Sequence, residues 1–283
     1  MTPPAVPGVT HAFVDAGGLR MHVAEAGRGE PILMLHGWPQ HWYLWRHVIP
    51  LVAPHARVIC PDLRGFGWTE VPRSGYDRET MAADVLALLD QLGLERVRLA
   101  GHDWGGWIGF LLCLSDPSRI SRFVALNIVP PWPSGDGRDV LELWRGAYQV
   151  PLALPHLGRR LVERGGADLV LRGGSKAFTR NEREAFTKRL KGDRARASEL
   201  LYRTFLTREA IPVATGRYAG RTLEVPTLLL VGQRDPVLPT RTLRAHADQT
   251  DALELELVPD AGHFVVDEKP DLVADRMLRF FAR

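Results

Sequence analysis

Three residues, Asp103, Asp235 and His263, occur in an order and in local contexts that suit nucleophilic catalysis. Asp103 is the central residue of the segment GHDWG at residues 101–105, which follows a predicted strand and precedes a predicted apolar helix. A Gly-x-nucleophile-x-Gly segment in that position forms a sharp elbow that projects its central side chain above the sheet. Serine is the usual central residue. Because aspartate is also common in turns and at helix N-termini, the flanking elements carry the prediction of a nucleophilic carboxylate.

The two other residues follow Asp103 in the order expected of a triad, namely nucleophile, acid and histidine. Asp235 comes after a predicted strand at residues 227–231, and His263 lies in the loop after the predicted strand at residues 253–258. Open α/β sheets place their sites at the carboxyl ends of parallel strands. Any one of the ten histidines is more often structural, but the joint placement of these three residues favours a catalytic triad.

The residue types predict a two-step reaction. A carboxylate can attack an sp³ carbon without losing a proton first, so Asp103 could form an alkyl ester directly. His263, oriented by Asp235, would then activate the water that hydrolyses this ester. The segment HGWP at residues 36–39 also follows a predicted strand and suits an oxyanion loop, with the backbone N–H groups of Trp38 and Trp104 as donors. A generic strand-to-loop turn is the alternative interpretation of that segment.

Strands that alternate with helices are predicted to position these residues. Helical spacing of apolar residues predicts a helix at residues 77–92, which stops before Gly93, and a second, buried helix at residues 105–114. Short apolar or alternating runs predict strands at residues 11–14, 19–23, 31–35, 58–60, 97–100, 123–129, 227–231 and 253–258. This alternation predicts an α/β fold with a mostly parallel sheet and helices on both faces.

The strand pattern is interrupted after PPWPSGDG at residues 130–137. From there to about Gly220 the sequence has helical periodicity and no convincing strand, and the strand pattern then resumes. A helical insertion that covers the sheet as a lid is the simplest explanation. We therefore expect a core made of residues 1–130 and 221–283 and a helical cap made of residues 131–220.

Taken together, the motifs resemble the epoxide hydrolase and haloalkane dehalogenase branch of the α/β-hydrolase superfamily, and most of all the epoxide hydrolases. The motifs are HGWP at residues 36–39, DLRGFGWT at 62–69, GHDWGG at 101–106, GQRDP at 232–236 and GHF at 262–264. They span nearly the whole predicted core. The resemblance implies an eight-stranded α/β-hydrolase fold with an inserted cap, and a substrate pocket to which His36, Trp38 and Trp104 contribute.

The resemblance also implies two proton donors in the cap. Epoxide opening produces an alkoxide, and epoxide hydrolases protonate it with two cap tyrosines. Tyr148, in the segment GAYQVP, resembles the first of these tyrosines, and Tyr202, in LLYRTF, resembles the second. The alternative for each is an aromatic ring that only packs, with its hydroxyl at the surface.

Two other functions remain open at this point. A haloalkane dehalogenase would use the same triad with indole N–H donors for the halide, and Trp104 with a cap tryptophan, Trp132 or Trp144, could supply them. Some dehalogenases carry the triad acid after the sixth strand, where this chain has Asn127, so Asp235 remains the expected acid. The second alternative is a non-catalytic ligand receptor on the same fold, which would not need an intact triad.

Composition and charge restrict the partners. The chain has 283 residues, of which 45% are hydrophobic and 24% are charged, as in an ordinary globular protein, and no apolar run approaches the roughly 18 residues that span a bilayer. Residues 156–220 carry 15 Lys and Arg against seven Asp and Glu. Such a surplus could attract anionic partners, but no nucleic-acid motif accompanies it, so solvated helix faces are the favoured explanation. We expect a small-molecule epoxide as partner, no nucleic acid and no membrane; a homodimer is left open.

The cysteines and the first residues indicate the compartment. Cys60 and Cys113 both lie in apolar segments, which suits free buried thiols and a reducing environment. Residues 1–7 lack a basic region and an apolar region, so we expect no cleaved signal peptide and a cytoplasmic location. The mechanism needs no metal or organic cofactor, and His36, His102 and His263 do not have the spacing of metal ligands on one element.

Overall fold

A twisted sheet of eight strands forms the centre of the molecule. The structure is a computed structural model that describes residues 2–132, 146–238 and 240–283. The strands are β1 Thr10–Ala16, β2 Leu19–Ala26, β3 Pro31–Leu35, β4 Arg57–Pro61, β5 Val97–His102, β6 Ile120–Leu126, β7 Thr227–Gly232 and β8 Leu253–Val258. They run in the order β1-β2-β4-β3-β5-β6-β7-β8. β2 pairs antiparallel with β1 and with β4, and all the other pairs are parallel.

Helices cover both faces of the sheet, as the continuous apolar strands require. The described helices of this α/β part are α1 Ile49–Val52, α2 Arg78–Gln91, α3 Trp104–Ser115, α10 Thr240–Ala247, α11 Val265–Glu268 and α12 Pro270–Phe281, with 3₁₀ helices at Trp42–His47 and Pro117–Arg119. Leu33 and Leu99 point into the core shared with α2 and α3, while Met34 and Val124 point into the opposite core, shared with α1 and α12. This confirms the predicted α/β fold with a mostly parallel sheet.

The helix predicted at residues 77–92 begins and ends where its capping residues indicate. Asp77 is the N-cap, and its side chain accepts a hydrogen bond from the Thr80 N–H at 2.8 Å. Gly93, directly after the C-cap, has φ +65°, a conformation that glycine adopts without strain. The predicted strand at residues 123–129 is too long, because β6 ends at Leu126 and Asn127 turns the chain with φ +46°.

A helical insertion lies between β6 and β7, as predicted. In the part of it that the structure describes, from residue 146 to 220, the chain forms helices and no strand. They are α4 Gln149–Ala153, α5 Leu157–Glu163, α6 Gly166–Gly174, α7 Arg180–Thr187, α8 Asp193–Thr204, a π-helical segment Phe205–Glu209 and α9 Ala210–Ala214. The described residues contain no helix that is long and apolar enough to cross a membrane.

Ion pairs join this insertion, the cap, to the core. Arg46 after β3 binds Glu182 of α7 at 2.8 Å, and Arg78 of α2 binds Glu209 of the π-helical segment at 2.7 Å. Both arginines are almost fully buried. The cap is therefore held over the carboxyl ends of the strands at two separate points.

Candidate active site

Asp103 stands at the junction of β5 and α3, in a backbone conformation with φ +51° and ψ −124°. The glycines around it are needed for the close approach of neighbouring backbone. A Cβ on Gly101 would lie 2.5 Å from the Gly105 carbonyl oxygen, and a Cβ on Gly105 would lie 2.5 Å from the Leu35 carbonyl oxygen. The sequence therefore produces the predicted elbow, and the Asp103 side chain enters the space between sheet and cap.

The two carboxylate oxygens of Asp103 have different surroundings. Oδ2 accepts the Trp38 backbone N–H at 2.9 Å, and the Trp104 backbone N–H also donates to the carboxylate. Oδ1 faces His263 instead. Burial raises the pKa of Asp103, although the charge of His263 and the two N–H donors act in the opposite direction. This pair of N–H groups is the arrangement expected of an oxyanion hole.

His263 lies between two carboxylates. Its Nδ1 donates to Asp235 Oδ2 at 2.8 Å, and its Nε2 is 3.9 Å from Asp103 Oδ1. Burial disfavours the imidazolium, but Asp235, through its charge and hydrogen bond, and Asp103, through its charge, raise the pKa of His263 to about 9. The structure brings together the three residues that the sequence predicted as a triad.

Asp235 is held by more partners than His263 alone. Its Oδ1 accepts the Val237 N–H at 2.8 Å, and its Oδ2 also accepts the Asn127 side-chain amide at 2.7 Å. Burial would raise the pKa of Asp235, but His263, Asn127 and the Val237 N–H lower it, so this carboxyl remains ionised at neutral pH.

Asn127 and His102 support the site, and sequence reasoning assigned neither of them this function. The Asn127 amide bridges Asp235 and the carbonyl of Gly262, the residue before His263. His102 Nε2 donates to the His263 carbonyl at 2.8 Å, and burial lowers the pKa of His102 to about 3, so it acts as a neutral donor. The position of Asn127 at the carboxyl end of a strand was the one available signal; nothing in the sequence pointed to His102.

His36 does not have the surroundings expected for contact with a substrate. Its Nε2 accepts the Leu63 N–H at 2.9 Å, and its Nδ1 donates to the Gly37 carbonyl at 3.0 Å. Both ring nitrogens of His36 are therefore used to hold the oxyanion loop, and His36 is not among the residues that line the cavity above Asp103. Trp38 is not among these lining residues either, and its ring packs against Tyr202 with a centroid distance of 5.2 Å.

The two cap tyrosines lie near Asp103. Tyr148 precedes α4, and Tyr202 belongs to α8; their ring centroids are 6.3 Å apart. Tyr148 lines the cavity, whereas Tyr202 is fully buried against Trp38 and Trp104. Burial, reinforced by the charge of Asp103, raises the pKa of both phenols. Both side chains therefore stay protonated at neutral pH and can serve as donors.

A cavity of about 520 Å³ opens between the sheet and the cap above Asp103 and His263. Its described wall is mostly apolar and includes Trp104, with the further residues Trp107, Ile128, Trp132, Phe205, Leu206, Val213 and Leu238. Such a surface suits an uncharged organic molecule. The other cap tryptophan considered for a halide site, Trp144, lies outside the described residues. Within the described ranges, no group of three or more His, Cys, Asp or Glu is arranged to hold a metal ion.

Comparison with known proteins identifies the family. Residues 30–270 match the model of the alpha/beta hydrolase fold family. The chain is 32% identical to a soluble epoxide hydrolase of Corynebacterium sp. (strain C12), over 97% of this chain and 98% of that protein, and 29% identical to epoxide hydrolase A of Mycobacterium tuberculosis, over 96% and 97%. The solved structure of the epoxide hydrolase CorEH without ligand superposes with a TM-score of 0.85 at 30% identity, over 97% of this chain and 99% of that one. The chain therefore belongs to the α/β-hydrolase family and, within it, to the epoxide hydrolases.

Proposed function

We propose that this protein opens an epoxide to a vicinal diol through an ester on Asp103, with Asp235 and His263 as the other triad residues and Tyr148 and Tyr202 as proton donors. One observation carries the proposal. Asp103 Oδ2 accepts the Trp38 N–H, the Trp104 N–H also donates to this carboxylate, and Oδ1 faces His263. A carboxylate held in this way can attack through Oδ1 and keep Oδ2 in the oxyanion hole.

In the first step, Asp103 Oδ1 attacks an epoxide carbon and the carbon–oxygen bond of the ring breaks. The electron pair goes to the epoxide oxygen, which takes a proton from a phenol of Tyr148 or Tyr202. The raised pKa of each tyrosine keeps its proton available until the alkoxide forms. The apolar cavity wall excludes water and so strengthens these interactions.

Loss of the Asp103 charge then prepares the second step. Burial lowers the pKa of His263, but Asp235, Asp103 and Glu268 raise it to about 9, and ester formation neutralises Asp103. The imidazolium therefore gives up its proton, the phenolate regains one, and His263 becomes a base. The same residue thus holds a proton in the free enzyme and accepts one in the alkyl-enzyme.

In the second step, His263 Nε2 takes a proton from water, and the water oxygen attacks Cγ of Asp103. The negative charge develops on Oδ2, which accepts the Trp38 N–H, and the Trp104 N–H that donates to the same carboxyl group stabilises it as well. The bond between Cγ and Oδ1 then breaks, and the leaving alkoxide takes the proton of the added hydroxyl and departs as the diol. Asp103 is again a carboxylate that contains one oxygen from water, and His263 keeps the proton that it took. Asp235 holds the imidazolium through its bond to Nδ1.

A substrate panel tests this function. We expect styrene oxide to give the diol and 1-bromobutane to give no bromide, with Asp103→Asn inactive on both and Asp90→Asn, a change at an exposed ion pair, fully active. Release of bromide without formation of the diol would indicate a haloalkane dehalogenase and would refute the proposal. Binding of styrene oxide without turnover of either compound would refute it as well and would indicate a ligand receptor.

A further inference from the structure

A buried ion pair lies beneath the cavity, and the triad mechanism does not use it. Arg78, the first residue of α2, donates through Nε to Glu209 Oε2 at 2.7 Å, and its backbone N–H donates to Glu209 Oε1 at 3.1 Å. Arg78 is 1% exposed and Glu209 is 7% exposed. Burial of two charges is costly even when they are paired, so the pair by itself is weak support for stability.

The position of Arg78 is also unfavourable for α2 itself. A cation in the first turn opposes the helix dipole, which favours negative charge there. In addition, Nη2 of Arg78 is buried and has no hydrogen-bond partner among the described residues. Neither feature stabilises the helix, which indicates that the guanidinium acts on its surroundings.

Those surroundings are the donor residues of the proposed reaction. The Arg78 guanidinium lies over the Trp104 ring, 4.8 Å from its centroid, and Nη1 donates to the carbonyl of Leu201 at 3.1 Å. Trp104 supplies an oxyanion-hole N–H, and Leu201 immediately precedes Tyr202. One side chain of the core therefore contacts both Trp104, the residue after the nucleophile, and the segment that carries a cap tyrosine.

Glu209 connects the same pair to the cavity wall. It ends the π-helical segment Phe205–Glu209, which directly follows α8, and Phe205 and Leu206 of that segment line the cavity. Single π turns inside α-helices occur frequently at functional sites. The Phe205 ring also lies 5.4 Å from the Arg78 guanidinium, so the segment is held on both its first and its last residue.

We propose that Arg78, paired with Glu209, is a positioning residue that fixes Trp104 and Tyr202 at the cavity and makes the Tyr202 phenol a stronger acid through its charge. The inference rests on the proposed function only in taking Tyr202 as a proton donor. Arg78 itself does not touch the substrate, because Trp104 and Phe205 lie between the guanidinium and the cavity.

Arg78 and Tyr202 share the contacts through which the charge acts. The guanidinium lies against the Trp104 ring and binds the Leu201 carbonyl, and Tyr202 follows Leu201 and packs on Trp104 with a centroid distance of 5.9 Å. A buried cation this close favours the negative phenolate over the neutral phenol. Burial, the Tyr148 phenol and the Asp103 carboxylate disfavour the phenolate and raise the pKa of Tyr202. Arg78 therefore opposes them.

The experiment measures the pKa of the phenol at position 202 in the full chain. Tyr202→3,5-difluorotyrosine lowers the phenol pKa into an accessible range, and fluorine NMR reports its titration. Arg78→Gln removes the positive charge and is expected to raise that pKa by about one pH unit, whereas Glu209→Gln leaves the cation unopposed and is expected to lower it. Arg78→Lys keeps the charge and is expected to restore most of the original value.

Arg78→Gln and Glu209→Gln break the same ion pair but are expected to shift the phenol pKa in opposite directions. The direction of the shift therefore distinguishes an effect of charge from an effect of structure. A merely structural pair would give shifts of the same sign, or none, and would overturn the proposal. Arg46→Gln and Glu182→Gln are the matched controls, since they break a different ion pair between cap and core and should leave the titration unchanged. Thermal melting identifies any variant that does not fold. If Arg78→Gln does not fold, the direction of the pKa shift in Glu209→Gln decides, because that variant keeps the Arg78 contacts to Trp104 and Leu201.

The rate of the first step gives a second readout with natural Tyr202. In single turnovers of styrene oxide, Arg78→Gln is expected to slow ester formation about tenfold, and Glu209→Gln is expected not to slow it. If Tyr202→Phe leaves ester formation unchanged, the donor assignment of the proposed function fails, while the fluorine titration still tests the effect of Arg78. Equal slowing by both substitutions would contradict the charge effect.

Discussion

The Nε2 atom of His263 lies 3.9 Å from Oδ1 of Asp103, which is longer than a hydrogen bond. The two groups therefore interact as charges and not as a base and its proton donor. This is consistent with a nucleophile that needs no deprotonation, and it leaves Nε2 facing the carboxyl group that water attacks in the proposed mechanism. In the proposed mechanism, His263 is consequently needed for hydrolysis of the ester and not for its formation.

Replacement of His263 should stop the reaction after the ester has formed. With His263→Gln, Asp103 retains its N–H donors and still attacks, but no base activates the water, so the alkyl-enzyme should accumulate. Intact-mass spectrometry after mixing with styrene oxide should show one adduct per chain, and peptide mapping should locate it at Asp103. His55→Gln, at an exposed position, is the control and should accumulate none. Failure of His263→Gln to trap an adduct would refute the covalent mechanism.

The local features of fold and site could be predicted from the sequence. β3 was predicted with its observed bounds, because a strand buried on both faces is a continuous apolar run between turn residues. Asp103 was placed in an elbow because its glycines are required by backbone contacts that any such elbow makes. Asp235 and His263 are predictable because they follow Asp103 in the order expected of a triad and each lies after a strand.

The remaining features depend on contacts between residues that are distant in sequence. The strand pattern continues through Ile128 and Val129, and only the positive φ of Asn127, held by bonds to Asp235 and Gly262, ends β6 early. His36 stands in a motif of the oxyanion loop, but the motif does not say that its ring nitrogens bind backbone. Arg78 and Glu209 are 131 residues apart, so no local pattern could pair them.

The state of Asp103 should control the titration of His263. Burial lowers the pKa of His263, and the nearby carboxylates, Asp235 first, then Asp103 and Glu268, overcome this and raise it to about 9. Asp103→Asn removes one of these charges and should lower the pKa by about one pH unit, as the proposed ester would. NMR titration of the His263 ring measures its pKa in the unsubstituted protein and in Asp103→Asn. An unchanged pKa in Asp103→Asn would mean that Asp103 does not hold the proton on His263.

The same shift predicts the pH dependence of the second step. Decay of the alkyl-enzyme needs neutral His263, so its rate should fall as pH decreases through the lowered pKa of His263 in that state. Ester formation needs ionised Asp103, whose pKa is raised by burial, and should decline only at more acidic pH. Rapid-quench measurements at a series of pH values separate the two rates. Coincident pH profiles would contradict the division of roles.

The two cap tyrosines should act on ring opening and not on ester hydrolysis. Tyr148→Phe or Tyr202→Phe should each slow ester formation about 10²-fold, because one phenol remains to protonate the alkoxide, and the double variant should abolish it. Decay of a preformed ester should be unaffected. Tyr218→Phe is the control, since that phenol donates to Glu79 outside the cavity. Ring opening at the original rate in the double variant would show that another group is the acid.

Gly37 should be indispensable for the geometry of the nucleophile. A Cβ at this position would lie 2.4 Å from Oδ2 of Asp103, so Gly37→Ala must displace the carboxylate from the Trp38 and Trp104 N–H groups. We expect both ester formation and ester hydrolysis to fall at least 10²-fold, the loss typical of a disrupted oxyanion hole. Gly173→Ala is the matched control, because a Cβ there meets nothing within 4 Å and its φ is ordinary for any residue. If the two variants had comparable activity and equal melting temperatures, neither step would depend on the hydrogen bonds from these N–H groups to the Asp103 carboxylate.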